Sequence, residues 1–434
     1  MTSFDGAARL LGRLGRGVSL AARTVLPVDT NPVPGDWTHV TKVDPEDEKK
    51  LPLLYPLYLR HSGAVSVGGS ADVNATNTEQ TFDLLAPASV PVFHEPSGPR
   101  HVTPKTREQA DLLAIPEVLN GDSQSLVGQL GAGTEYIREE IVPEVLSARF
   151  PWLPAVVTDA LADSATSWLL ADAVFEAYVI QNPDSAAARE ANVTDSDLLS
   201  PREAKQRAMA AERHLESELV YLEYSGTYGG DEAAETLAAI SDGLTWSRLW
   251  YGGGVDSRER AEAILDAGAD TVVVGDAFHR VADEETDICE RAADALDLDA
   301  SASAVREWVA ENVAVADSNA AAYLATIPSA PDPERLARRY LTATVRTWLR
   351  LRAHREEDAS ASDGRLRADL RRALGPDLFG GLSDADARLV GRTLAALLND
   401  ARSGASEGVA GREDGSSPND ADAVATHLGL TSSS

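Results

Sequence analysis

The sequence predicts an α/β fold: a TIM-type (βα)8 barrel with an irregular segment after strand 3 and a C-terminal helical extension. Three observations carry this. Eight short apolar segments of strand length recur between residues 39 and 274. Helical stretches separate several of them, as right-handed crossovers in a parallel sheet require. Glycines follow the last three segments, where barrels commonly bind phosphate.

The predicted strands are 39–43, 64–67, 90–94, 112–116, 177–181, 219–224, 247–251 and 271–274. Helical periodicity covers 123–148, 201–217, 231–242 and 257–267. Residues 95–111 are short, polar and proline-containing, so no regular three-turn helix is expected there. Residues 149–174 read as an added helical segment before strand five.

The domain reading is 1–36, 37–291, 292–400 and 401–434. Residues 1–25 hold Arg9, Arg13, Arg16 and Arg23 against one acid, Asp5, with leucines that form much of an apolar face. Such a basic amphipathic segment suits peripheral contact with an anionic membrane, or packing on the protein's own acidic surface. Pro27, Pro32, Pro34 and Gly35 mark a linker. Residues 37–291 are the barrel. Beyond it, helical patterns near 302–327, 333–354, 364–373 and 383–400 form the extension, with Trp308, Tyr340 and Trp348 as candidate anchors. Residues 401–434, rich in Gly, Ser, Asp and Asn, read as a disordered acidic tail.

The formal net charge is -30, from 69 acidic and 39 basic residues. Such a surface repels nucleic-acid phosphates, so nucleic acid is excluded as a partner. Abundant acid with scarce lysine reads as adaptation to high salt. The lone cysteine, Cys289, leaves no internal disulfide and fits a cytoplasmic protein. No apolar stretch has the length of a membrane span.

Gly252, Gly253 and Gly254 follow strand seven, Gly275 and Asp276 follow strand eight, and Ser225 and Gly226 follow strand six. Backbone NH groups at such ends hold phosphate, and glycine admits close approach. In the segment Tyr221-Leu-Glu-Tyr-Ser225, alternation puts Tyr221, Glu223 and Ser225 on one face. A carboxylate there can accept a proton from a polyol hydroxyl; a buried structural pair is the plainer reading. In His39-Val-Thr-Lys-Val-Asp44, the same alternation puts Lys42 and Asp44 on one face. Asp44 is a natural ligand for magnesium, or a capping aspartate before Pro45. Ser70, in Gly68-Gly-Ser70, lies near the same place. Glu95 and Asn120 follow strands three and four, Glu95 with the weaker case because two prolines share its loop.

These residues resemble the geranylgeranylglyceryl phosphate synthase family, which includes the bacterial heptaprenylglyceryl phosphate synthases. The resemblance covers roughly 37–290. It rests on His39-Val-Thr-Lys-Val-Asp-Pro45, Val67-Gly-Gly-Ser70, Ile115-Pro-Glu-Val-Leu-Asn120, Val179-Ile-Gln-Asn-Pro-Asp-Ser185, Tyr221-Leu-Glu-Tyr-Ser-Gly226 and Tyr251-Gly-Gly-Gly254. It implies Mg2+-dependent transfer of a prenyl group to the sn-3 hydroxyl of sn-glycerol 1-phosphate, with release of pyrophosphate. The expected donor is geranylgeranyl diphosphate, because the acidic composition points to a halophile. Asp44 and Ser70 are the implied metal and diphosphate region. Lys42, Tyr221 and Glu223 are the implied catalytic group. Leu222, Tyr224, Ser225, Gly226, Gly253, Gly254, Gly275 and Asp276 complete the implied substrate site. The resemblance also implies a homo-oligomer. The segment 46–63, the expanded 149–174 region, Asp276 in place of asparagine and residues 292–434 depart from the family pattern. Two other readings remain open on the residues alone: another phosphate-binding barrel enzyme, such as a sugar-phosphate isomerase or epimerase, and a catalytically silent membrane-associated scaffold.

Overall fold

Runs rich in valine, isoleucine and aromatics, buried on both faces, become the strands of a parallel sheet in the computed structural model. It describes residues 29–46, 49–69, 73–149, 151–152, 155–171, 173–357, 379, 382–400 and 427–428. The sequence-based readings of 1–25, 364–373 and Ser70 fall outside these residues, as does the tail reading apart from 427–428.

The strands are β1 (His39–Val43), β2 (Ala64–Val67), β3 (Val92–His94), β4 (Ala114–Val118), β5 (Val174–Ile180), β6 (Leu219–Glu223), β7 (Arg248–Gly252) and β8 (Thr271–Val274). All seven ladders are parallel, in the order β3-β2-β1-β8-β7-β6-β5-β4. A single parallel bridge, His94 to Leu113, closes the cylinder between β3 and β4. Backbone bonds along this seam include His94 N to Leu112 O, 2.9 Å, and Asp111 N to Val92 O, 2.8 Å.

Five strands differ at their ends from the sequence expectation, and for β4 and β5 the physical reason is plain. β4 runs on through Pro116 to Val118, where a proline was read as its end. Odd-numbered backbone groups of β4 face β5, as in Leu119 N to Tyr178 O, 2.8 Å. Pro116 therefore turns its missing NH toward β3, where the ladder is one bridge long and lacks a partner to disappoint. β5 begins at Val174, three residues early, because Val174 N reaches Leu113 O at 2.8 Å.

In chain order the helices are α1 (Tyr55–Leu59), α2 (Ala75–Leu85), α3 (Pro104–Gln109), α4 (Gln129–Tyr136), α5 (Val142–Arg149), α6 (Ala155–Ala171), α7 (Ala186–Ala191), α8 (Pro201–Ala210), α9 (Gly230–Gly243), α10 (Arg258–Asp266), α11 (Asp276–Ala295), α12 (Ala302–Asn312), α13 (Asn319–Thr326), α14 (Pro333–Glu357) and α15 (Asp384–Asp400). After β3 there is only a 3-10 turn, Pro99–His101, and the six-residue α3, in keeping with the irregular segment expected there. The pattern read as one helix over 302–327 is two, because Ser318 caps α13 by accepting from Ala321 N at 3.1 Å.

Inside the barrel, Trp37 stacks on Phe93 at 5.9 Å and Trp250 lies 5.8 Å from Phe93. The C-terminal helices share the core that surrounds the strands. α1 is buried along its whole length. Its Tyr58 ring meets Tyr340 of α14 edge-on at 5.3 Å, and the Tyr58 hydroxyl donates to Glu285 of α11 at 2.9 Å. On the outer face of β1, Thr41 meets the Tyr323 hydroxyl at 2.7 Å, and His39 Nε2 lies 3.1 Å from Thr326 Oγ1. Each such aromatic removes enough apolar surface for roughly 1.5–3 kcal/mol. Tyr340 is fully buried as an anchor, whereas Trp308 and Trp348 are only partly so. Leu428 is buried too, and the half-buried His427 lies edge-on to Tyr55 at 5.5 Å. Among the described residues no helix is long and apolar enough to cross a membrane.

Candidate active site

The strand C-terminal ends open into one cavity of about 730 Å3. At its polar end Lys42, Asp44, Glu95, Tyr178, Tyr221, Glu223, Ser225, Gly226, Gly253, Gly254, Gly275 and Asp276 all contribute to the wall. Of the sequence-predicted residues that are described, all but three are thus brought together. Leu222 and Tyr224 pack in the outer core by strand alternation, and Tyr224 donates to Glu232 at 3.1 Å. Asn120 also turns away: its amide clamps Ile180 through the carbonyl at 2.7 Å and the NH at 2.9 Å.

The glycine cup follows from backbone needs. Gly254 has φ +53°, and a Cβ there would lie 2.7 Å from Thr227 C and Tyr228 N. Gly253 passes so close to Tyr224 that a Cβ would sit 2.4 Å from its Cβ. The twenty-residue α11 starts at Asp276, directly after Gly275, and aims its N-terminus at the cup. Ser257 caps α10 on the adjacent side.

Beside the cup stands a buried charged cluster. Lys42 Nζ donates to Glu95 Oε1 at 2.7 Å. Ser66 Oγ donates to Glu95 Oε2 at 2.7 Å, and the Tyr178 hydroxyl donates to Oε1. Burial opposes charge on Glu95, but Lys42 and the three donated bonds outweigh it and hold the carboxyl below its usual range. Burial likewise opposes charge on Lys42, and the facing Glu95, Glu223 and Asp44 outweigh it, so the ammonium is held firmly. Glu223 accepts from Ser225 N at 3.1 Å, and burial raises its pKa. Tyr221 stacks on Tyr178 at 4.6 Å.

Glu95 is therefore the hub of the cluster, although its loop prolines argued against it in the sequence. Glu176, Tyr178 and Ser66 were missed. A Glu and a Tyr two residues apart inside an apolar strand, as in Val174–Ile180, was the available signal. Glu176 is fully buried with neither carboxylate oxygen bonded, and burial raises its pKa well above the usual value.

Asp44 lies at the end of β1, with His279 Nδ1 3.7 Å from its Oδ2, and a Cβ on Gly69 would be 3.0 Å from its Oδ1. Among the described residues no cluster of three acidic, His or Cys side chains could hold a metal alone. One cavity-facing carboxylate fits a hard cation such as magnesium, which takes its other ligands from water and substrate phosphate.

Away from the polar end the wall is largely apolar, with Thr106, Arg107, Asp111 and Glu190 also lining the cavity. The cavity runs past Leu112, Leu113 and Ile115 at the β3–β4 seam, between the wall and Leu130, Tyr136, Ile137, Ile141 and Leu169 of the helices spanning 124–171. From Val118 back to Leu112 is six residues of wall, about 20 Å at strand rise.

A closed parallel barrel with a glycine cup, buried acid–base groups and an apolar arm is an enzyme architecture. Residues 35–294 match the model of the PcrB family, and the chain belongs to that family. Membership makes it an enzyme of the prenyltransferase class. It is 31% identical over 244 residues to a geranylgeranylglyceryl phosphate synthase of Methanocella arvoryzae, covering 56% of this chain and 91% of that protein. The synthase of Halobacterium salinarum is 31% identical over 248 residues, covering 56% and 89%. A heptaprenylglyceryl phosphate synthase of Listeria monocytogenes is 28% identical over 247 residues, covering 56% and 91%. A solved geranylgeranylglyceryl phosphate synthase from Thermoplasma acidophilum, in complex with sn-glycerol-1-phosphate, aligns with TM-score 0.41 and 21% identity, covering 56% of this chain and 86% of that one. The family match stops at residue 294.

Proposed function

We propose that the enzyme transfers a geranylgeranyl group from its diphosphate to the sn-3 hydroxyl of sn-glycerol 1-phosphate, releasing pyrophosphate, in archaeal ether-lipid synthesis. One observation carries the reading: a glycine cup, a buried carboxylate and a long apolar arm share a single cavity. An isomerase or epimerase of small sugar phosphates has no use for the arm.

In this reading the glycine cup and the start of α11 hold the glycerol phosphate. Lys42 and Tyr221 orient it, and Glu223 accepts the proton of the attacking hydroxyl. Its burial-raised pKa makes it a stronger base than an exposed carboxylate. The apolar arm takes the prenyl chain and keeps water from the allylic carbon. Asp44 would hold Mg2+, with Ser70 the second residue assigned to that region; when bound, the ion would neutralise charge on the leaving pyrophosphate. The names of the aligned relatives support the substrate class.

The test is product formation from radiolabelled sn-glycerol 1-phosphate, Mg2+ and prenyl diphosphates of C15 to C35 in high salt. The expected outcome is a prenylated glycerol phosphate with preference for C20. Folded protein that forms no prenylated product sinks the proposal.

A further inference from the structure

Lys42 faces three carboxylates, those of Glu95, Glu223 and Asp44. Among the described residues its ion pair is with Glu95 alone. Glu95 is in turn fixed from two other strands: Ser66 of β2 holds one oxygen and Tyr178 of β5 the other. Gly68 permits this placement, since a Cβ there would lie 2.4 Å from Glu95 O and 2.8 Å from Glu95 Cβ. The Glu223 carboxylate meanwhile has Ser225 as its hydrogen-bond partner.

We propose that Glu95 is a positioning residue for the transfer: it holds the Lys42 ammonium on its own side of the barrel, so that Glu223 keeps an oxygen open for the glycerol hydroxyl. The inference rests on the function proposed above. In the step it serves, the hydroxyl oxygen bonds to the allylic C1 as the C1–O bond to diphosphate breaks. The bonding pair leaves on pyrophosphate, and the hydroxyl proton passes to Glu223. An ammonium closed onto Glu223 would occupy the lone pair that must take that proton and would lower its basicity.

The groups facing Glu223 are Lys42 on β1, Glu95 after β3, Glu176 and Tyr178 on β5, Tyr221 on its own strand and Tyr251 on β7. Burial disfavours the charged forms of Glu176 and the tyrosines. Lys42 and Glu95 are therefore the charges that decide how readily Glu223 holds a proton.

The experiment is an infrared carboxylate titration of the substrate-free protein, with the Glu223 band isolated by difference against Glu223→Gln. In Glu95→Gln the freed ammonium turns to Glu223, and its midpoint falls by about one pH unit, a tenfold loss of proton affinity. The acid limb of kcat falls with it, while KM for glycerol phosphate changes less. An unchanged midpoint overturns the proposal; because loss of the Glu95 charge lowers the Glu223 midpoint by itself, the charge-conserving variant decides whether Lys42 has moved. Glu95→Gln removes a charge as well as a contact, so Glu95→Asp is the second variant. It keeps the charge and withdraws the carboxylate by one methylene. A smaller shift in the same direction supports the proposal, and an unchanged midpoint in the folded Asp variant overturns it. The titration needs no turnover, so wild-type protein that forms no prenylated product sinks the assigned function without obscuring this result.

Discussion

The Tyr323 hydroxyl lies 2.7 Å from Thr41 Oγ1, on the back of the strand whose next residue, Lys42, faces the cavity. A helix far outside the family match thus packs behind a residue of the proposed site. Ser62 joins the same contact on that face, its Oγ 3.3 Å from the Tyr323 hydroxyl and 3.2 Å from His39 Nδ1. The extension and the barrel share one core, with Tyr58, Phe278, Tyr323 and Tyr340 in mutual ring contact. Removing residues 301–434 is expected to expose this face and leave the barrel insoluble, or to lower its melting temperature by about 10 °C or more. Thermal denaturation of the truncated protein in high salt checks this; an unchanged Tm would show that the barrel stands alone.

Glu223→Gln keeps the shape of the side chain and removes its basicity. A positioned general base contributes about 10²–10⁴-fold. We expect kcat to fall by that order, with KM for glycerol phosphate changing less than tenfold. Steady-state kinetics at saturating Mg2+ decide it, and an undiminished kcat removes Glu223 from the chemistry.

Asp44→Asn is expected to raise the Mg2+ concentration needed for half-maximal turnover by tenfold or more. The melting temperature should stay within a few degrees, because Asp44 is partly exposed and its ion-pair partner is His279 at 3.7 Å. A magnesium titration of initial rates reads the first effect and calorimetry the second.

Gly254→Ala forces a side chain onto φ +53° and against the backbone at Thr227 and Tyr228. Such strain costs of order 1–3 kcal/mol. The loop is expected to shift, raising KM for glycerol phosphate more than tenfold while kcat falls less. Equal KM values would mean that the phosphate sits elsewhere.

Glu285 accepts from Leu53 N at 2.8 Å, Tyr58 at 2.9 Å and Thr344 at 3.1 Å. Burial nevertheless raises its pKa to about 7, against an ordinary value of 4.5. The folded state then binds more protons than the unfolded state between those values. This stabilising contribution is complete below pH 4.5 and is lost as pH rises through 7, on the order of 3 kcal/mol in all. Glu285→Gln should remove that slope, read as the difference between two urea-denaturation series from pH 5 to 8. Parallel series would refute it.

The barrel was legible because each strand is an apolar run with turn residues after it, and a parallel sheet buried on both faces leaves that trace directly. Lys42, Glu223 and the glycine ends were legible for the same reason: period-two alternation assigns their face. Alternation equally places Leu222 and Tyr224 outside, so their inclusion came from motif proximity rather than geometry. Glu95 was underrated because its neighbours along the chain are prolines, while its partners, Ser66 and Tyr178, lie on other strands. The contacts of the extension were illegible for a similar cause. Nothing local in Tyr55-Pro-Leu-Tyr58 says that its complement is Tyr340, more than 280 residues away.

The one-bridge closure between β3 and β4 makes the barrel a tube with a zip. Everywhere else, parting two strands breaks a full ladder. Here it breaks one bridge and the few backbone hydrogen bonds around it, at about 1 kcal/mol each. The apolar arm lies along this seam, so an amphiphile with its head in the cup and its tail in the arm spans the line along which the wall opens at least cost. We expect a prenylated product to leave sideways here, without drawing its tail through the charged mouth. The amides of His94 and Asp111 should exchange with solvent before those of any other strand junction.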